Sequence, residues 1–334
     1  MRALISDAID PAPTDDVVPG TFPGGATLRA GERGWVMLDE RPGAGLGRAL
    51  VWARRERLGE LHLIVDDVEA AGVLARRAEL FGRPPRVWQV EGRSIRPAEP
   101  VDPPPALEPP AIAREQVALL HGAGVEVVVE RGEIRGEVLG LEVARVVVDD
   151  RDATGETTAR IEVGVGRHDR EAFAMLHGEV PTAEALAGVV DQVRRHRASD
   201  AEAHPLGRLA AERWLRSIVM ADPAAVGARQ LAPAEPTIAR DGVKDVAPAV
   251  AFGDDPDGTP VVVACSVGID LDLVPAAADA RQALQPEARL VVVVPERDAH
   301  PVTRRLVDDL ARPAELHPVP GDWRHGLRGR PRPR

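Results

Sequence analysis

Cys265 is the only cysteine in 334 residues. No disulfide can form within the chain, and a reducing, cytoplasmic compartment is the simplest expectation. Lysine is equally scarce. Lys244 stands alone, and the other 41 of the 42 basic residues are arginine. No apolar run approaches the ~20 residues that cross a bilayer, so no membrane partner is expected. Residues 1–16 lack the basic start and apolar core of a secretory signal. Positive charge is in deficit too: the net charge of −11 opposes attraction of the whole surface to nucleic acid, leaving local patches as the only route. The nine histidines show no Cys/His spacing of a zinc site. Ser266 lacks the G-x-S-x-G context of a hydrolase nucleophile.

What remains is ordinary globular material, 44% apolar and 28% charged, in a chain long enough for two or three domains at ~150 residues each. Residues 1–33, rich in Pro, Gly and Asp, read as a poorly ordered lead-in. From Trp35 onward, apolar strands alternate with helical patterns: strands at 35–38, 61–65 and 86–90, helices at 45–58 and 68–81. This alternation predicts βαβ units on a largely parallel sheet, an N-terminal α/β lobe over 34–96. Residues 97–110 hold seven prolines and predict a stiff extended linker. A C-terminal lobe over 257–323 repeats the pattern, with strands at 260–264, 290–294 and 315–319 around helices at 272–284 and 301–310. The fold class is therefore α/β, with two βαβαβ lobes flanking a mixed middle domain over 111–220. A connector over 221–256 and a basic tail over 324–334 complete the chain.

The middle segment reads as a short helix (111–121), a strand (125–130), a long strand (134–148), another strand (160–165) and a helical region (169–176, 182–197). Each of the last two strands carries an inward-placed acid, in Gly140-Leu141-Glu142 and Ile161-Glu162-Val163-Gly164. Opposed residues on antiparallel strands lie only ~5 Å apart, so two such acids can converge on one cation. The order helix–three strands–helix resembles the core of the PD-(D/E)XK, restriction-endonuclease-like nucleases. In that family an acid follows a glycine on the second strand, and Glu-X-Lys follows on the third. The resemblance implies Glu142 and Glu162 as catalytic residues and Mg²⁺ ligands; apart from it, Glu126 or Glu130, on the preceding strand or its edge, is placed to be a third oxygen ligand. Gly164 stands where the family has lysine, and Lys244 is too far along the chain to replace it. The implied site is thus degenerate.

Other features keep alternatives open. Arg160, Arg167, Arg194, Arg195 and Arg197 are the candidate contacts to DNA or RNA phosphate. Glu142/Arg145 and Arg160/Glu162 also suit cross-strand ion pairs on one face of a sheet. In His168-Asp169-Arg170-Glu171, Asp169 suits a helix cap. The loops at 43–47 and 267–272 lie where strands feed helices, the usual ligand edge of α/β sheets; Asp272 there suits a helix cap. The readings are a nucleic-acid-directed protein with a degenerate nuclease-like domain, or a non-enzymatic α/β assembly or small-ligand-sensing protein. A protein partner or self-association is open in either case.

Overall fold

The computed structural model describes residues 4–5, 17–149, 157–167, 169–172, 182–198, 204–238 and 247–327. The fold is mixed α/β, with three sheets. Two compact units share the chain: residues 1–104, 269–286 and 299–316 form one, and residues 105–268, 287–298 and 317–334 the other.

In the first unit, β1 (Val18–Phe22), β2 (Gly25–Ala30), β3 (Arg33–Leu38), β4 (Glu60–Val65), β5 (Arg86–Glu91) and β6 (Ser94–Pro97) form one sheet in sequential order. Strands β3, β4 and β5 are parallel, while β1–β2–β3 and β5–β6 are antiparallel. The parallel centre follows from the crossover helices α1 (Leu46–Arg55) and α2 (Val68–Ala78), as the alternation predicts. Strand β4 is buried from Leu61 to Val65, the continuous apolar run of a strand covered on both faces. Residues 18–30, expected to be poorly ordered, instead build β1 and β2. Leu28 and Ala30 there join Trp35 and Ile64 in a core cluster.

The proline-rich linker lacks regular structure as expected, apart from Pro97 at the end of β6. Residues 98–110 have no helix or strand, as their prolines require, but the segment is not free. Val101 donates its amide to the Gly72 carbonyl (3.2 Å), and a Cβ on Gly72 would sit 2.3 Å from the Val101 side chain. A glycine on α2 is what lets the chain lie against the helix.

Helices α7 (Leu273–Leu284) and α8 (Pro301–Asp308) complete this unit. Asp279 of α7, fully buried, is gripped by Arg76 (2.8 and 3.0 Å) and Arg77 (2.8 Å) of α2. Burial would raise its pKa, but hydrogen bonds from Arg76 and the charge of Arg77 outweigh it and hold the carboxyl below its usual range. Phe81 and Leu310 meet in an antiparallel bridge, with Gly82 donating to Asp309 (2.8 Å) and Ala311 to Leu80 (2.9 Å). Each of these segments follows the second helix of its own strand–helix–strand set.

In the second unit, α3 (Ala111–Arg114) and α4 (Val117–Gly122) lead into β7 (Glu126–Glu130), β8 (Glu133–Val138), β9 (Leu141–Asp149) and β10 (Thr158–Val163). These strands pair antiparallel in the order β10-β9-β8-β7, with α5 (Thr182–His196) on one face. Four strands replace the expected three. Leu139 and Gly140, at φ 49° and 74°, make a tight reversal that splits the expected long strand into β8 and β9.

Helix α6 (Ala211–Ala221) packs on a sheet ordered β11 (Gln230–Ala234), β12 (Ala249–Asp254), β13 (Pro260–Cys265), β14 (Arg289–Pro295), β15 (Glu315–Val319). Strands β11 and β12 fall in the region read as connector, where β12 pairs antiparallel with β13 and β11 antiparallel with β12. The expected basic tail begins inside the fold: Arg324 stacks over Trp323 (4.5 Å) and Trp214 (5.1 Å). Residues 328–334, Lys244 and His168 lie outside the described residues.

Candidate functional site: the charged face of the middle sheet

One irregularity in backbone pairing determines which side chains share a face. Glu137 opposes Glu142, and Gly136 opposes Ala144, so Val143 is an extra residue, a β-bulge in β9. The bulge turns Val143 and Ala144 both toward the helix-covered core. It also brings Glu142 and Arg145, three residues apart, onto the opposite face. Glu162 of β10 opposes Arg145 and joins them.

The two acids do converge, and the group between them is a guanidinium. Arg170 Nη1 lies 2.9 Å from Glu142 Oε1, and its Nε 3.8 Å from Glu162 Oε2. Glu142, 3% exposed, also takes Arg145 Nη2 at 3.0 Å and Arg135 Nη1 at 3.6 Å. Arg135 continues the chain of pairs to Glu130 (2.8 Å) and Glu133 (3.0 Å). Burial alone would lower the Arg135 pKa, but the charges of Glu130, Glu142 and Glu133 outweigh it and hold it above its ordinary value. Burial pulls Arg170 down, further than Glu142 raises it. Glu162 is completed by Arg160 at 2.9 Å.

Gly164 is closed to lysine by geometry. Its φ is +140°, and a Cβ there would lie 2.9 Å from the Arg170 amide nitrogen. The glycine lets the chain turn back so that Arg170 can enter the sheet face. Asp169 accepts from the Val165 amide (2.7 Å), tying this turn from behind rather than capping a helix. Gly140 is constrained in the same way, since a Cβ would lie 2.2 Å from the Arg213 carbonyl carbon. The glycines flanking the two acids are thus backbone requirements.

The same face holds a second buried cluster. Glu137, fully buried, accepts from Arg213 (2.9 Å) and Arg216 (2.6 Å) of α6. Glu126, opposite Glu137, has its carboxyl pKa raised, chiefly by burial. Neither Arg213 nor Arg216 was singled out for this pairing in sequence, because their partner is more than seventy residues away. Glu126 and Glu130, the candidate third ligands, do not join Glu142 and Glu162 around a common cation position. Among the described residues no cluster of three or more His, Cys, Asp or Glu is placed to hold a metal ion.

The nucleic-acid candidates have internal partners. Arg160 meets Glu162 and Asp149 (3.5 Å), and Arg167 meets Glu171 (3.5 Å). Arg194 donates to the Gly124 carbonyl (2.9 Å), and Arg195 reaches back to Asp191 O at 3.4 Å. Arg197 is 2% exposed, donates to Leu206, Leu139 and Leu209 carbonyls and lies over Trp214. Burial and the Arg213 charge pull its pKa to about 9.

The loops at the sheet ends touch rather than open a cleft. The Gly47 amide donates to Asp272 Oδ1 (2.9 Å), and a Cβ on Gly47 would meet the Leu271 carbonyl at 1.8 Å. Asp272 occupies the N-cap position of α7, yet its carboxylate serves Gly47 instead of the helix. Burial pushes its pKa up to about 6. Cys265 is fully buried, and burial pushes its thiol to about 12, which leaves it unreactive. No helix among the described residues is long and apolar enough to cross a membrane. No family model, curated protein or solved structure matches the chain.

Proposed function

We propose that this chain is a non-enzymatic α/β protein, in which the two acids of the nuclease-like pattern hold a sheet together instead of a metal. The observation that carries this reading is the set of three arginines, Arg135, Arg145 and Arg170, around the buried Glu142 carboxylate. A divalent ion needs open carboxylate oxygens and room for several waters. Guanidinium groups cannot deprotonate to make way for it. The residues do not fit Mg²⁺, and no hydrolytic step is assigned to them. Gly164 supports the same reading, because its left-handed backbone excludes the lysine that the nuclease pattern requires.

The test is a cleavage assay on single- and double-stranded DNA and RNA with Mg²⁺ or Mn²⁺, comparing the natural protein with Glu142→Ala and Glu162→Ala. No metal-dependent cleavage is expected from any of them. Glu142→Ala should instead lower unfolding stability by about 3 kcal/mol, the scale for breaking a buried ion pair. Cleavage by the natural protein that disappears in both variants would overturn the proposal.

A further inference from the structure

Within the first unit, the loop at 43–47 docks on the turn at 270–272, and a buried acid sits at their contact. Helix α1 has no side-chain cap of its own, because its N-cap residue is Gly45. A helix start leaves its first amides without partners. Asp272 fills one of these vacancies from a distant segment, by accepting the Gly47 amide at Oδ1 (2.9 Å).

What Asp272 lacks is a cation. It is 9% exposed, and among the described residues no ion pair reaches it. Helices α1, α2 and α8 all pack on α7. The charges from them that act on Asp272 are Arg48 of α1 and Arg77 of α2, with none from α8. Both arginines are engaged elsewhere. Arg48 donates to the Pro23 (3.1 Å) and Ala44 (2.9 Å) carbonyls, and Arg77 to Asp279 (2.8 Å) and the Gly43 carbonyl (2.9 Å). Asp270 accepts the Asp272 amide (2.9 Å) and adds like charge two residues away.

An ionised carboxylate at this position is therefore desolvated, answered by a backbone amide and faced by a second acid. A neutral carboxyl keeps the same bond to Gly47 and escapes most of that penalty. Asp279, further along the same helix, provides the contrast: it is buried as well, but Arg76 and Arg77 grip it.

We propose that Asp272 is a proton-operated latch, holding the 43–47 loop against the 270–272 turn when protonated and loosening that contact when ionised. Burial is the main cause, and with the Asp270 charge it outweighs the Gly47 hydrogen bond and the two arginines, raising the Asp272 pKa from 3.8 to about 6. With the contact open and the side chain in water, the proton leaves near the ordinary value. The docked state thus holds the proton more tightly, so the contact is strongest below pH 3.8 and weakens as pH rises to about 6. The latch lies where strands feed helices, so acidification tightens the edge at which α/β sheets usually take ligands. It shares no residue with the middle-sheet site, and its test and the cleavage assay are decided separately.

The experiment follows hydrogen exchange of the Gly47 amide by NMR in the full chain at pH 5 and 7.5, with protection corrected for the intrinsic exchange rate. Protection should fall about tenfold from the lower pH to the higher in the natural protein. It should stay level in Asp272→Asn, whose side-chain oxygen can still accept from Gly47 but which cannot ionise. Comparing the two proteins removes His62 and every other titrating group from the reading. A second measurement needs no variant: in protein labelled at the aspartate carboxyl carbons, the Asp272 signal should titrate near pH 6. Titration near its ordinary value, Gly47 protection indifferent to pH in the natural protein, or an equal decline in Asp272→Asn would each overturn the proposal.

Discussion

His62 has its fully buried ring stacked between Trp35 (5.3 Å) and Trp88 (6.1 Å), and it accepts the Trp88 indole hydrogen at Nδ1 (3.0 Å). A ring nitrogen that accepts must be unprotonated, so the fold selects neutral imidazole. Burial draws the pKa down to about 4, against the opposing pull of Glu60. The unfolded chain takes up the proton near pH 6.5 and the folded chain only near 4, so stability is complete above 6.5 and falls as pH drops between those values. Denaturant midpoints measured at pH 7.5, 5.5 and 4.5 should decline in that order. His62→Gln should flatten the decline; an unchanged slope in that variant would assign the acid sensitivity to other groups. Asp279 acts with the same sign at lower pH, since its depressed pKa makes its contribution fade as acid protonates it.

At the scale of elements, the ladder on the middle sheet depends on two backbone irregularities. The extra residue Val143 rotates Glu142 onto the face of Arg145, and Gly164 permits the return that inserts Arg170. Replacing Gly164 by lysine, the change that would complete the nuclease pattern, should therefore damage the element it is meant to equip. The expected cost is about 1–3 kcal/mol of unfolding free energy, the range for a residue forced into a disfavoured backbone region. Chemical denaturation of Gly164→Lys beside Gly164→Ala measures it. Both should be destabilised, with no gain of metal-dependent cleavage. A stable Gly164→Lys variant with new nuclease activity would show that the turn can yield. The pattern Gly-X-Glu was legible in the sequence, while its physical meaning was not. Gly140 and Gly164 are required by close backbone approach to Arg213 and Arg170, residues that no local reading connects to them.

For the whole molecule, charge decides the expected response to nucleic acid. The net charge is −11, and the five arginines considered for phosphate contact are all engaged internally. Fluorescence anisotropy with labelled DNA and RNA should show weak association that fades steeply as salt rises. Tight binding near physiological salt, reduced by Arg194→Ala or Arg195→Ala, would contradict this and restore a phosphate-facing role to the end of α5. The alternation of strands and helices, the breaks at proline and the buried runs of β4, β13 and β14 were all determined by the sequence, because periodicity and backbone restriction act over a few residues. The strands at 18–30 and 230–254 were missed. Their short, Pro- and Gly-containing segments carry little periodicity and gain their order by pairing with β3 and β13. Only tertiary structure decided what the charges do. Glu142 reads alike as a metal ligand or an ion-pair partner until a bulge sets its face and Arg170, 28 residues onward, arrives beside it. Asp279 finds Arg76 across 203 residues of chain. A charge takes its role from the partner that desolvation forces it to find, and that partner is fixed by the fold rather than by neighbours in sequence.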